Sequence, residues 1–401
     1  MLSLCISCST VSVKSLLNFD HQPPSNRFFQ NDESQYDTHP LELGQCVTCG
    51  LVQLVSPMPE DMVRSHHAWL TYNEPEGHLD KMVDDLIRLT DLKLDSRIVG
   101  LSYKDDTTLA RFNKLGFANT YRYHIERDLG ISEPLAGLET IQSRVSPELA
   151  ELLVKKHGRA DLLLVRHLLE HAHTPKIFLN ALGRLVKPAG VMVFEMPESK
   201  KFLEACDYSF VWEEHIAYFT TTTLLRLIEN ARFNSLSLMT YEYPLEDSLV
   251  SVVRPVSYGK NADELVAAEI ALGDQYGKQF SKSRQLTRTY LSRLKYEGKR
   301  VAVFGAGHLA AKFLNLFDLQ NLVYCVIDDN PHKLGLRMPG SGVIVRPSSV
   351  LIDEKINLCL LSLSPESENK VVAANRAYVS QGGRFCSIFK LSPTSYQAAM
   401  A

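Results

Sequence analysis

No apolar run in these 401 residues approaches the roughly 18 that a membrane-spanning helix needs. Residues 1–17 lack both the basic start and the small-residue cleavage site of a secretory signal. No membrane partner and a cytoplasmic location are therefore expected. Charge of one sign is missing as well: 43 Lys and Arg against 46 Asp and Glu leave a net −3, too little to draw nucleic acid or an anionic surface. Low-complexity segments and internal repeats are absent. What remains is an ordinary globular composition, 45% hydrophobic and 22% charged. It is long enough for two or three cores, because single cores seldom grow past roughly 250–300 residues. Nothing in it sets an oligomeric state.

Cysteine is sparse, eight in all, and half of it is concentrated near the N-terminus as Cys5-x-x-Cys8 and Cys46-x-x-Cys49, the second pair followed by Gly50. Two such knuckles can present four thiolates tetrahedrally to one soft cation, so Cys5, Cys8, Cys46 and Cys49 are read as ligands of a structural zinc. The gap between the pairs exceeds that of a compact zinc ribbon, so Lys14 to Glu42 must close on itself. Disulfides are disfavoured without a secretory route, and reduced, metal-free thiols are the plain alternative. Cys206, Cys325, Cys359 and Cys386 are scattered, the last three in apolar runs, and read as buried reduced thiols.

Beyond a cysteine module over residues 1–65, helix and strand patterns alternate. The apolar face Leu79, Met82, Val83, Leu86, Ile87 and Leu89 predicts a helix from Gly77 to Leu92, leading into a strand over 96–101. Helices are expected over 107–115, 147–156, 175–185 and 222–231, and strands over 160–165, 190–195, 236–243 and 249–254. That alternation predicts an α/β fold with a parallel sheet, covering residues 66–258. A helical connector over 259–297 then reaches a second α/β domain, 298–401. There a strand enters a Gly-x-Gly-x-x-Ala turn at Gly305, Gly307 and Ala310, and a second strand ends on Asp328, a Rossmann-like pattern. The helix N-terminus at the turn would face a diphosphate and Asp328 a ribose hydroxyl. His308 is unusual at such a contact, and the same fold can be used without a dinucleotide.

Two polar clusters could carry chemistry. Trp212-Glu213-Glu214-His215-Ile216-Ala217-Tyr218-Phe219 follows the strand that ends at Glu195-Met-Pro197, at the edge where ligands collect in open α/β sheets. A histidine beside a carboxylate, with a phenol nearby, can move protons near neutral pH. A charged surface loop is the plain alternative. Arg166-His-Leu-Leu-Glu-His-Ala-His173 follows the strand over 160–165, and His167 and His171 would share a helical face. No third metal ligand is placed there, so a substrate-contacting histidine is preferred over a metal site, with histidines capping a short helix as the alternative.

In order along the chain, the cysteine pairs with Gln22-Pro-Pro-Ser-Asn26 between them, Cys49-Gly-Leu-Val-Gln53, Gly137-Leu-Glu-Thr-Ile141, His167-Leu-Leu-Glu-His171, Leu185-Val-Lys-Pro-Ala-Gly190, Glu195-Met-Pro197, Glu214-His215 with Tyr218-Phe219, and the segments Gly298 to Ala302 and Pro331 to Gly335 resemble the sugar C-methyltransferases of deoxysugar biosynthesis. The resemblance implies a zinc module, a central class I methyltransferase-like doubly wound sheet that holds S-adenosylmethionine, and a nucleotide-linked keto sugar clasped between the central and C-terminal domains. It implies removal of a proton α to the ketone and capture of the methyl by the enolate, with His215 as base, Glu214 orienting it, and His171 stabilising the enolate or positioning the sugar. It places the donor on Gly100, Ser102, Asp105, Asp106, Arg166 and His167, and the nucleotide sugar on Trp212, Gly305, Gly307, His308 and Asp328.

Two departures from that pattern are legible. Trp212 stands where the family commonly has a tyrosine, whose role would pass to Tyr218 or Tyr72. The glycine-rich turn after the first strand reads Val99-Gly-Leu-Ser-Tyr-Lys-Asp-Asp-Thr-Thr-Leu109, with Tyr103 and Lys104 expected to crowd the donor unless the turn bends away. The segment Tyr123 to Asp128, where an acid for the donor ribose is expected, is irregular. Two alternatives follow: a family member that binds a nucleotide sugar without methylating it, and a nucleotide-sugar oxidoreductase using the C-terminal glycine turn.

Overall fold

The computed structural model describes residues 2–30, 37–70, 74–255 and 266–400; Tyr72 lies outside them. Contacts divide the chain into two units. One comprises Met1–Leu16, Leu43–Lys200 and Glu214–Ala271, the other Leu17–Glu42, Lys201–Glu213 and Leu272–Ala401.

The chain opens with β1 Ser3–Leu4, β2 Val11–Gln22, β3 His39–Cys46 and β4 Val52–Leu54, side by side in that order. The outer parts of β2 and β3, within the insertion expected to close on itself, are counted with the second unit.

The first unit is built on β5 Ile98–Gly100, β6 Thr120–Arg122, β7 Ala160–Arg166 and β8 Val186–Glu198, followed by β9 Ala217–Tyr218, β10 Phe233–Tyr241 and β11 Asp247–Pro255. The sheet order is β6-β5-β7-β8-β11-β10, while β9 pairs with β4 at the edge of the N-terminal sheet. The pairs β5–β6, β5–β7 and β7–β8 are parallel; β11 runs antiparallel to both β8 and β10. The parallel part is what the alternating pattern predicts, and the doubly wound order is what the family resemblance implies, while β11 adds an antiparallel element.

Burial on both faces explains why β7 and β8 read as unbroken apolar runs. In β7, Leu163 and Val165 enter a core shared with Cys5, Cys46, Cys49 and helix Pro175–Leu185, whereas Leu162 and Leu164 pack opposite against Leu79, Met82, Val83 and Leu86. Each fully buried aliphatic side chain contributes about 1.5–3 kcal/mol. Helix Pro147–His157 is capped by Ser146 and helix Thr221–Asn230 by a Thr220/Thr223 capping box. Strand β6 and the helices Leu138–Arg144 and Lys200–Ala205 are additions to the sequence reading, too short to show a period.

Helix Val266–Tyr296 leads into the second sheet. Its strands β12 Val301–Phe304, β13 Cys325–Ile327, β14 Val345–Arg346, β15 Leu358–Leu361 and β16 Arg384–Ser387 are all parallel, ordered β14-β13-β12-β15-β16. The chain reverses direction across the sheet at β12, so Gly305 and Gly307 sit at the switch point where open α/β sheets bind ligands. Cys325, Cys359 and Cys386 are buried in β13, β15 and β16. Among the described residues no helix is long and apolar enough to cross a membrane.

Candidate active site and metal centre

The two cysteine knuckles are built alike. Ser9 and Gly50, each directly after the second cysteine of its pair, take positive φ of 60° and 82°, and their amides donate back to Cys5 O and Cys46 O. A Cβ on Gly50 would come within 2.6 Å of Glu269 Cβ, so both conformation and space require glycine. The four Sγ atoms lie within 4.8 Å of one another; Cys5–Cys49 and Cys8–Cys46 are separated by 3.5 and 3.6 Å. A zinc with bonds of about 2.3 Å in a tetrahedron sets sulfurs about 3.8 Å apart. The cage therefore fits zinc, and all eight cysteines are free of disulfides. The Thr48 and Cys49 amides point at Cys46 Sγ at 3.4 and 3.3 Å, and Ser12 Oγ lies 3.0 Å from it; such contacts hold a thiolate ligand in place.

At the carboxyl end of β5 the chain turns through Ser102 into a single 3-10 turn, Tyr103–Asp105, and straight into helix Asp106–Lys114. Asp105 is fully buried and its carboxylate accepts from the amides of Leu101 (2.8 Å), Ser102 (2.9 Å) and Arg166 (3.1 Å). Burial pushes it up to about 6, against those amides and Arg166. A Cβ at Gly100 would stand 2.8 Å from Asp105 Cβ, so the glycine is what lets the turn fold back on the strand. The crowding expected from Tyr103 and Lys104 is relieved: Tyr103 is 50% exposed and Lys104 Nζ swings to Glu74 at 3.5 Å. At the end of β6 stands Arg122, paired with Asp106 at 2.7 Å. Asp128, in the segment expected to offer a ribose acid, instead pins its own loop, accepting from Tyr121 Oη, the His124 amide and Lys156 Nζ, with His157 Nε2 at 2.9 Å.

Glu195, at the end of β8, is wholly buried, and sequence reasoning noticed its motif without giving it a role. Arg166 Nε reaches it at 2.5 Å, His78 Nε2 at 3.0 Å and His167 Nε2 at 3.4 Å. Burial opposes its charge, but the two histidines and Arg166 hold it well below the usual range. Burial likewise opposes charge on His167, yet Glu170 and Glu195 raise it to about 10, making it an imidazolium at neutral pH. Arg166 and His167 are therefore buried and engaged within the protein. Arg166 also donates to Lys104 O, tying β7 to the turn after β5.

Beyond β7, the turn Leu169–His171 carries Glu170 and His171, and the Ile216 amide donates to Glu170 O at 2.7 Å. That bond brings His215 beside His171, with ring centroids 5.0 Å apart and nearly perpendicular, and Tyr218 next to His215 at 6.4 Å. Burial and then the His215 charge lower His171 to about 3, so it stays neutral. Glu170, His171 and His215 place one ligand atom each within 4.8 Å of one another; the sequence offered Glu170 only as a neighbour of His171. Burial, then the charges of Glu139, Glu214 and Glu74, raise the Tyr103 phenol. With half of that residue in solvent, the carboxylates are the more telling neighbours, and they put the Tyr103 phenol near Glu214.

In the second unit, Trp212 stacks on His308 at 4.3 Å and 19°. Glu213 is buried, paired with fully buried Lys312 Nζ at 2.5 Å, and accepts from the Ser25 amide and from Ser25 Oγ at 3.1 Å. Gly305 has φ +101°, and a Cβ on Gly307 would meet nothing within 4 Å. Asp328 is already occupied: it accepts from the Ala306 amide at 3.0 Å and from Lys333 Nζ at 2.8 Å.

Three family models match the chain in succession: "Putative zinc binding domain" over residues 5–62, "Methyltransferase domain" over 81–238 and "C-methyltransferase C-terminal domain" over 260–389. C-methyltransferase NovU of Streptomyces niveus is 22% identical over 95% of this chain and 94% of its own length. Among solved structures, the 1,6-didemethyltoxoflavin-N1-methyltransferase of Burkholderia thailandensis overlaps at TM-score 0.31 with 15% identity, over 45% of this chain and 80% of that one. An S-adenosylmethionine-dependent methyltransferase of Clostridium acetobutylicum overlaps at 0.30 with 10% identity, over 46% and 93%. The chain thus carries, in order, segments that match zinc-binding, methyltransferase and C-methyltransferase C-terminal domains, is similar along nearly its whole length to a C-methyltransferase, and is an S-adenosylmethionine-dependent enzyme of the methyltransferase class.

Proposed function

We propose that the protein methylates a carbon α to the ketone of a nucleotide-linked keto sugar. The observation that carries this reading is the imidazole pair His171–His215 beside Tyr218, at the carboxyl edge of the methyltransferase sheet. Methylation at carbon needs a base for an α-proton and a donor for the developing oxyanion. His215 takes the proton, with Glu214 orienting it, while the neutral His171 turns an N–H to the enolate oxygen. S-adenosylmethionine supplies an electrophilic methyl, and the residues fit it at the turn: the Gly100–Ser102 backbone would hold its methionine end. Asp106, fixed by Arg122 at the end of β6, takes the place of the ribose acid. Zinc, held by the four cysteines, supports the fold rather than the reaction.

The commitment of Asp328 to Ala306 and Lys333 argues against the oxidoreductase alternative, which would need that carboxylate for a ribose. The test is turnover in deuterium oxide with a nucleotide 4-keto sugar. Product should gain a methyl, and recovered substrate should carry deuterium on the adjacent carbon. His215→Asn should lower both by about 10²–10⁴-fold with donor affinity unchanged; undiminished exchange in that variant removes His215 as base. Absence of donor binding by calorimetry would instead favour a sugar-binding protein that does not methylate.

A further inference from the structure

The Glu170 carboxylate is buried beside the site with its hydrogen-bonding capacity unused. The residue is 2% exposed, and neither oxygen has a hydrogen-bond partner among the described residues; His167 Nδ1 approaches one of them only to 3.5 Å. The His167 imidazolium faces one of these oxygens, and lone pairs left without a hydrogen bond in a buried carboxylate remain open to a metal ion. The carboxylate is aimed at two imidazoles, since one atom each of Glu170, His171 and His215 falls within 4.8 Å of the others. Backbone geometry holds the group together: Glu170 and His171 share one 3-10 turn, and the Ile216 amide fastens the His215 segment to Glu170 O at 2.7 Å. Glu170 and His171 are buried while His215 is partly exposed, so the group meets solvent on the His215 side.

We infer that Glu170, His171 and His215 form a second metal site, which takes a divalent cation of the zinc, cobalt or nickel class. Two imidazole nitrogens and one carboxylate oxygen suit these borderline ions rather than magnesium or calcium, which prefer all-oxygen ligands. The site is chemically distinct from the four-thiolate cage. A consequence rests on the reading of His215 as base: an imidazole lone pair can bind a metal or accept a proton, not both. Occupancy of this site therefore silences the enzyme, and excess of the metal that stabilises the N-terminal module inhibits turnover.

The experiment uses the full chain with zinc already in the cysteine cage, titrated with cobalt(II). A second equivalent should bind with visible d–d bands and without the near-ultraviolet thiolate-to-cobalt charge transfer. Glu170→Gln and the partly exposed His215→Asn should each weaken that binding at least about 10-fold, whereas Asp106→Asn should leave it unchanged. Wild-type methyl transfer should fall in step with the bands. No second equivalent, or one that both variants bind as tightly as wild type, overturns the site. A second equivalent that leaves turnover intact upholds the site and overturns His215 as base. Activity lost in His215→Asn without any second equivalent in wild type does the reverse.

Discussion

Lys312→Met probes whether the segment leading to His215 is anchored by a buried charge pair. Lys312 Nζ and Glu213 Oε2 are 2.5 Å apart with both side chains wholly removed from solvent, and Ser25 supplies two further donors to the same carboxylate. Desolvating such a pair costs nearly what its attraction returns, so its net contribution is small. Removing one partner is different, because Glu213 would stay buried without its countercharge; that costs about 3–5 kcal/mol. For a unit of this size a loss of 1 kcal/mol lowers the melting temperature by about 2–4 °C, so Lys312→Met should melt roughly 6–20 °C below wild type. Glu213→Gln with Lys312→Met should recover most of the loss, since the methionine stem fills the lysine's space and the amide still accepts from Ser25. Urea unfolding of the single and double variants gives the coupling energy directly. A single variant within about 1 °C of wild type, or a double variant no better than the single, would refute the argument that the pair acts through burial.

Three other outcomes are expected. One chelation-resistant zinc per chain should be released by a thiol-modifying reagent, and Cys46→Ser should unfold the first unit at a lower urea concentration, since structural zinc contributes folding energy outright; equal midpoints would argue against a metal-filled cage. Asp128→Asn should cost about 2–4 kcal/mol at pH 7. Burial opposes the Asp128 charge, but Lys156, Tyr121, the His124 amide and His157 hold its folded pKa below the ordinary value. The stability it contributes is therefore present above pH ~4 and lost as pH falls below it, so wild type and variant should converge in acid; a constant gap down to pH ~2 would contradict this.

Much of the fold was legible because its signals are periodic. Leu162 to Val165 and Val191 to Phe194 read as strands buried on two faces, and they are. The cysteine cage was legible because ligand spacing along the chain fixes local geometry. The turn after β5 was legible in its departure and not in its consequence: an acid, Asp105 or Asp106, could be seen to survive, but only folding shows that the Asp105 carboxylate takes the amides of Leu101, Ser102 and Arg166. Tyr103 and Lys104 looked obstructive because a sequence carries no side-chain direction. For the same reason the sequence carries no sign that Lys333, five residues on, pairs with Asp328. Glu170 and Glu195 stood in motifs but received no role, because nothing local distinguishes a carboxylate that meets buried partners from one that meets water. His78, which reaches Glu195 from 117 residues away in the chain, carries no motif at all.

His167 shows how that buried network bears on the site. It has φ +52°, a left-handed conformation that costs a non-glycine residue about 1–3 kcal/mol and persists only when its surroundings impose it. Its amide donates to Glu195 O at 2.7 Å and its imidazolium faces Glu195 and Glu170, so the strain is offset by contacts that only this turn allows. The reversal directly after β7 is what carries Glu170 and His171 round to face His215. His167→Gly separates the two effects. Glycine removes the strain, worth about 1 kcal/mol in the variant's favour, but takes a cation from a buried carboxylate, worth about 3–5 kcal/mol against it. Arg166 and His78 remain on Glu195, so the lower end of that range applies and a net loss of about 2 kcal/mol in urea unfolding is expected. Turnover should fall further than stability, because Glu170 and His171 lose their fixed turn. A variant as stable as wild type would mean that the conformation, and not the charge, is what this position is chosen for.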